Sequence, residues 1–301
     1  MSSVPVDPTI VWTRGDYPAV AELFEPAAVE LVRAVGVGDA HVLDVAAGTG
    51  NAAVAAVAAG AAAVTLVDAC APLLERARDR LAGCPVPVRA EVGDCHRLPA
   101  EDGGATRVVS SFGVVYADDP ALAARELVRT CAPGGRIGLT AFAPNAAPGC
   151  FRAVLAALLD EPIPGRSPAV PAHWADEARL RSFFAGTDAE LLSVTDHTLA
   201  LRFAGAAEGA RFFAARSGPI LEVRDHLEAR GRWPAAEREL TAAFARAGRA
   251  DGDAFTVPAP YRLAVLRRPQ APVRAMSAVS AVRSRTGGGG RRVRVDTVLG
   301  V

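Results

Sequence analysis

Residues 42–53, VLDVAAGTGNAA, restrict the fold more than any other stretch: a short apolar run ends in an acid and a glycine-rich turn, and a helix of small residues follows. The run reads as a buried parallel strand. Gly48 and Gly50 permit a tight turn and a close backbone approach to a ligand, and the first N–H groups of the helix point at the same place. Twenty residues beyond Gly48, the run Val64–Val67 ends in Asp68, a carboxylate at the tip of a second strand that can accept from ribose hydroxyls. The spacing predicts a site for a ribose-containing ligand.

The same residues, Gly48 to Ala53, also satisfy the loose dinucleotide pattern G-x-G-x-x-G/A. Three features separate the possibilities. Asp44, at the strand end before the glycines, repels a pyrophosphate and favours a cationic group. A third strand, Val86 to Glu91, runs into Gly93-Asp94-Cys95-His96-Arg97-Leu98-Pro99, a turn in which Asp94 can accept from an adenine amino group. A fourth apolar run gives Ser110 to Tyr116, and Ala132-Pro-Gly-Gly135 leads into a fifth.

These motifs, VLDVAAGTGN, VTLVDACAPLLERAR, EVGDCHRLP, VVSSFGVVYADDP and CAPGGRIGL, resemble in order those of the class I S-adenosylmethionine-dependent methyltransferases. The branch related to ubiquinone and menaquinone biosynthesis is the most similar. The resemblance covers roughly residues 10–268. It implies a Rossmann-like, doubly wound sheet of seven strands with an antiparallel last strand and a helical lid insertion, with S-adenosylmethionine as cofactor. Carried over residue by residue, Asp44, Gly48 and Gly50 hold the methionine end, Asp68 with Ala69 the ribose, and Asp94 with the Cys95 backbone the adenine. Ser111 and Tyr17 complete that set. One departure is visible: Ala46 stands where the acid-x-G-x-G-x-G pattern has its first glycine. An alanine adds only a methyl, so the pocket is expected to survive.

The chain has 301 residues and a formal net charge of zero, so no global field draws it to nucleic acid or to acidic membranes. All 33 basic residues are arginine; with the abundant alanine, glycine and proline this points to a GC-rich genome, and the arginines are weak evidence for anion binding. Five cysteines, Cys70, Cys84, Cys95, Cys131 and Cys150, form no C-x-x-C pair, so neither a disulfide framework nor a metal signature is expected. The opening residues lack a basic segment followed by a long apolar run. With the cysteine usage, this leads to the expectation of a cytoplasmic protein; a monomer or homodimer is expected.

One domain over 1–268 is expected, with lid elements near 142–185 and 205–250 and a disordered Gly/Arg tail over 269–301. Helices are predicted at 18–35, 51–59, 72–82, 120–131, 149–159, 175–184, 206–216, 219–230 and 234–248, with late strands at 190–203 and 259–267. Asp119 reads as the N-cap before Pro120, and Gly134-Gly135 as an exit turn.

Methyl transfer from a sulfonium needs no metal and no covalent intermediate, so the lack of a catalytic triad is no objection. Trp12 and Tyr17 belong to an N-terminal segment that, by resemblance, folds over the methionine end; an anchor for the first helix is the alternative. Phe112, Tyr116, Phe142 and Trp174 are candidates for an apolar wall around the acceptor, with core packing as the alternative. His173 is the candidate base, though a solvent-facing histidine explains it as simply. Asp118-Asp119 suggests a metal site or, more simply, a helix cap. Two rival functions remain open at this point, an NAD-dependent oxidoreductase and a protein that binds S-adenosylmethionine without turning it over. A macromolecular acceptor is disfavoured, because Ser111-Phe-Gly-Val stands where amino-methylating nucleic-acid enzymes carry N/D-P-P-Y/F/W.

Overall fold

A computed structural model describes residues 8–144, 146, 155, 158 and 171–270. The tail beyond 270, Cys150 and most of the segment expected to be a helix at 149–159 lie outside the described residues.

The chain begins with α1 (Pro8–Trp12), α2 (Tyr17–Glu22) and α3 (Glu25–Val35). An alternating stretch follows: β1 (His41–Val45), α4 (Asn51–Ala58), β2 (Ala63–Asp68), α5 (Ala71–Arg80), β3 (Val88–Val92), β4 (Ala105–Ser111), a 3-10 turn at Val114–Tyr116, α6 (Pro120–Thr130) and β5 (Cys131–Phe142). A second 3-10 turn, Pro171–Ala175, precedes α7 (Glu177–Phe183) and β6 (Glu190–Phe203). Then come α8 (Ala206–Arg216), α9 (Gly218–Glu228), α10 (Trp233–Ala247), β7 (Arg249–Asp251) and β8 (Ala254–Arg267).

The strands pair in the order β3-β2-β1-β4-β5-β8-β6. β1 to β5 run parallel, and β8 lies antiparallel between β5 and β6. The order reverses at β1, so the loops after β1 and β4 diverge and leave a crevice at the carboxyl ends of the strands. Both faces are covered, as the apolar runs require. Val42, Val64, Leu66 and Val109 pack with α3, α4 and α5 on one face, whereas Leu43, Val45, Val67 and Val108 pack with α6 and α7 on the other. α8, α9 and α10 form a cap whose Phe213, Leu227 and Phe244 join the first of these cores.

Several boundaries differ from expectation. The helix expected at 18–35 is two helices, because Pro26 has no N–H to continue the ladder and starts α3 instead. Tyr17 therefore opens α2 rather than preceding the first helix. Gly134 and Gly135 lie inside β5 and not in an exit turn: α6 passes directly into the strand at Cys131. The third strand begins at Val88, two residues late. Among the described residues the sheet has eight strands, since β7 folds back on a β8 that starts five residues earlier than expected. Asp119 does cap α6, accepting from Leu122 N at 2.9 Å.

Candidate functional site

β1 is apolar on both faces, so its position is fixed and it carries Asp44 into the interior, 1% exposed. Asp44 Oδ2 accepts from Ala53 N in the first turn of α4 at 3.0 Å, while Oδ1 has no hydrogen-bond partner among the described residues. Burial pushes this carboxyl up to about 8, against the Ala53 bond, and the nearby Asp68 adds to the rise. Asp68 is better served. Its Oδ2 accepts from Gly48 N and its Oδ1 from Cys70 N, both at 2.7 Å. Burial still raises its carboxyl, with those two bonds working the other way. The twenty-residue spacing read from the sequence thus closes as one hydrogen bond from the glycine loop to the tip of β2.

That loop holds three residues in left-handed backbone, Ala46 (φ 52°), Gly48 (φ 55°) and Gly50 (φ 80°). Two side chains that the sequence did not single out brace it. Arg80 donates to Thr49 O at 2.8 Å, Asn51 Oδ1 at 2.7 Å and Glu25 at 2.5 Å. Asn51 Nδ2 donates to Ala21 O at 2.8 Å, tying the start of α4 to the end of α2. The methyl of Ala46 fits because position 113 is glycine: a Cβ there would stand 2.7 Å from Ala46 Cβ and 2.3 Å from its carbonyl oxygen. Ser110, also missed, locks the two loops together by donating to Val45 O at 2.7 Å and accepting from Val114 N at 2.9 Å. Half-buried Ser111 ends β4 beside it, and Ala69 is exposed beyond Asp68.

In the turn after β3, Asp94 Oδ1 accepts from the backbone N–H of His96 at 2.9 Å and lies 2.7 Å from its Nδ1. Burial opposes ionisation of Asp94, but those contacts and the Cys95 thiol hold its carboxyl below the usual range. The Cys95 thiol is pushed up to about 12 by burial and by Asp94. The sequence carries no metal signature at this turn. The ligand atoms of Asp94, Cys95 and His96 nonetheless lie within 4.8 Å of one another. The described contacts already account for the grouping, since Asp94 binds His96 and His96 Nε2 accepts from Asp119 N at 3.1 Å.

The N-terminal segment arches over the glycine loop. A Cβ at Gly48 would stand 3.6 Å from the Tyr17 ring, and burial, with Tyr116 and Asp68 nearby, raises the Tyr17 hydroxyl far above its ordinary value. Trp12 makes edge contacts with Tyr17 and Tyr116, centroids 5.2 and 4.9 Å apart. The segment is latched to the cap by an Arg14–Asp225 ion pair and by Asp16 N donating to Arg216 O at 3.2 Å.

The other sequence candidates are not all brought to this cluster. Phe112 and Phe142 stack at 4.1 Å and pack against Phe24, inside the core of the α3 face. Phe112 has φ 55° and its N–H is held by Thr140 Oγ1 at 3.0 Å. Trp174, expected in a loop over the pocket, is 3% exposed and packs on Phe183 and Phe184 in the core of the opposite face. His173 is half-buried in the same 3-10 turn.

Comparison with known proteins agrees with this geometry. A family model described as a methyltransferase domain matches residues 42–135, from β1 into β5. An uncharacterized protein of Mycobacterium tuberculosis, Rv1405c, is 32% identical over 221 residues, 72% of this chain and 79% of that one. Demethylmenaquinone methyltransferase of Deinococcus radiodurans is 36% identical over 115 residues, 38% of this chain and 47% of its own. The solved structure of BH2331 from Bacillus halodurans superposes with a TM-score of 0.55 at 18% identity, covering 81% of this chain and all of that one, which establishes the fold. The chain belongs to the class I S-adenosylmethionine-dependent methyltransferases. Its cofactor is S-adenosylmethionine, and the nicotinamide alternative falls away. The site fits that cofactor: a buried carboxylate oxygen without a donor suits a cationic ligand, and two glycines in left-handed backbone keep the loop free of side chains.

Proposed function

We propose that the protein methylates a small, largely apolar or aromatic molecule, with Trp12, Tyr17 and Tyr116 as the acceptor wall. The observation that carries this reading is the contact of these three rings, drawn from two distant segments, beside the glycine loop. Their edge-to-face rings offer apolar surface beside the glycine loop, suited to a neutral planar or greasy acceptor. The Deinococcus relative is named for a small-molecule acceptor, demethylmenaquinone, which is in keeping.

When bound, the cofactor supplies an electrophilic methyl. The chain's own task is then to align, to desolvate and, where the acceptor must shed a proton, to remove it. In this reading Asp44 Oδ1 takes the ammonium of the methionine end, with the backbone of Ala46, Gly48 and Gly50 around it. Asp68 and Ala69 take the ribose, Asp94 with the Cys95 backbone the adenine, and Ser111 flanks the donor. His173 is the candidate base; Phe112, Phe142 and Trp174 act by packing behind the site. The protein is read as cytoplasmic, in keeping with four described cysteines that form no disulfide, and as a monomer or homodimer. No described helix is long and apolar enough to cross a membrane.

The test is to incubate the protein with methyl-labelled cofactor and an extract of its host, then separate by size and polarity. Label in a low-mass, solvent-extractable product supports the reading. Label confined to protein or nucleic acid overturns it.

A further inference from the structure

His96 sits between two groups that leave its ring only one arrangement. The backbone N–H of Asp119 points at Nε2 from 3.1 Å, and a backbone amide is always a donor, so Nε2 must present its lone pair. The ring proton then belongs on Nδ1, where it meets Asp94 Oδ1 at 2.7 Å. A doubly protonated ring would set N–H against N–H at Asp119. Oδ1 thus receives two donors from one residue, the backbone and the ring of His96, which restrains the carboxylate's rotation on an acid 65% exposed and leaves Oδ2 with no bond to His96. The other end of the ring is anchored to the N-cap of α6, which is itself held by Asp119 accepting from Leu122 N. Of the titratable side chains in these contacts, Asp94 faces Nδ1 and is bonded by the Cys95 thiol, while the Asp119 carboxylate is engaged by Leu122 N.

We propose that His96 is a positioning residue for purine recognition: as the neutral, Nδ1-protonated tautomer it aims Asp94 Oδ2 so that the site accepts a 6-amino purine and rejects a 6-oxo one. This rests on the reading that Asp94 receives the adenine amino group. A 6-oxo purine presents an acceptor to a carboxylate that is also only an acceptor, so the pairing is lost and replaced by repulsion.

The experiment compares binding of S-adenosylhomocysteine and its inosine analogue, S-inosylhomocysteine, to the intact protein by calorimetry. The wild type is expected to prefer the adenine form by roughly ten- to a hundredfold, the range of one hydrogen bond to a charged group. His96→Phe keeps the ring's bulk without its nitrogens and should shrink that preference to within about threefold. His96→Asn retains a donor near Nδ1 and should recover most of it. Nitrogen-15 spectra of the wild type, recorded where the ring is neutral, should show the proton on Nδ1 and a bare Nε2. A His96→Phe variant with wild-type preference, or a ring protonated on Nε2, overturns the positioning role. A wild type that binds both ligands equally overturns the adenine reading of Asp94 and the proposal with it, and so separates the two failures.

Discussion

With Oδ2 held by Ala53 and Oδ1 facing no donor, Asp44 ties stability to pH in a direction opposite to most native carboxylates. The folded acid keeps its proton up to about 8, whereas the unfolded chain releases it near its ordinary value of 3.8. Between those values the native state binds the extra proton, so stability falls as pH rises through the window and levels off above it. Asp44→Asn should therefore raise the melting temperature of the ligand-free protein, more at pH 8 than at pH 5, while weakening cofactor binding. Equal shifts at the two pH values would remove the burial argument. Asp68 makes the contrasting case. Asp68→Ala releases the Gly48 and Cys70 amides as well as the proposed ribose contact, and calorimetry should show affinity reduced by one to two orders of magnitude, at about 1.5 to 3 kcal/mol per charge-assisted bond. Ala46 and Gly113 form a third residue-scale pair. A methyl at 113 meets the Ala46 carbonyl, so Gly113→Ala should lower the melting temperature and impair cofactor binding. Ala46→Gly relieves a left-handed alanine whose cost is roughly 1–2 kcal/mol and should leave the fold intact. Tolerance of Gly113→Ala in a thermal melt would contradict the packing seen here.

At the scale of elements, the glycine loop works as a braced unit. Arg80 reaches it from the end of α5, so Arg80→Ala should weaken cofactor affinity severalfold with a small change in melting temperature; an unchanged affinity would make the brace purely structural. The strand-loop-helix units were legible in the sequence because their signals are local: apolar runs that end in acids, glycines where φ must be positive, Asp119 before a proline. What escaped notice depends on contacts across long separations. Nothing near Arg80 in the chain announces Thr49 and Glu25, and nothing near Ser110 announces Val45. Trp174 shows the same limit. Its proline-rich surroundings suggested an exposed loop, but the sheet face against which the turn docks decides its burial. β7 is three residues long and has no apolar pattern of its own, since all three are exposed.

For the whole molecule, S-adenosylhomocysteine at about a hundredfold its dissociation constant should stabilise the fold by about 2.7 kcal/mol, a readily measured melting shift, and NAD(H) should not. The glycine- and arginine-rich stretch from 271 carries no apolar periodicity in sequence, so its deletion should leave melting and cofactor affinity as they are; loss of either would make it part of the folded body. The strap that begins at α1 has a further consequence, for synthesis. Arg14 finds Asp225 across 211 positions, and the backbone of Asp16 finds Arg216 over a similar span. In a nascent chain the α1 strap can therefore meet the glycine loop and Tyr116 early, but its latch to the cap forms only once α8 and α9 have left the ribosome. The glycine loop and the five parallel strands are all in the chain by Phe142, so this strap, which precedes them in sequence, is latched after them.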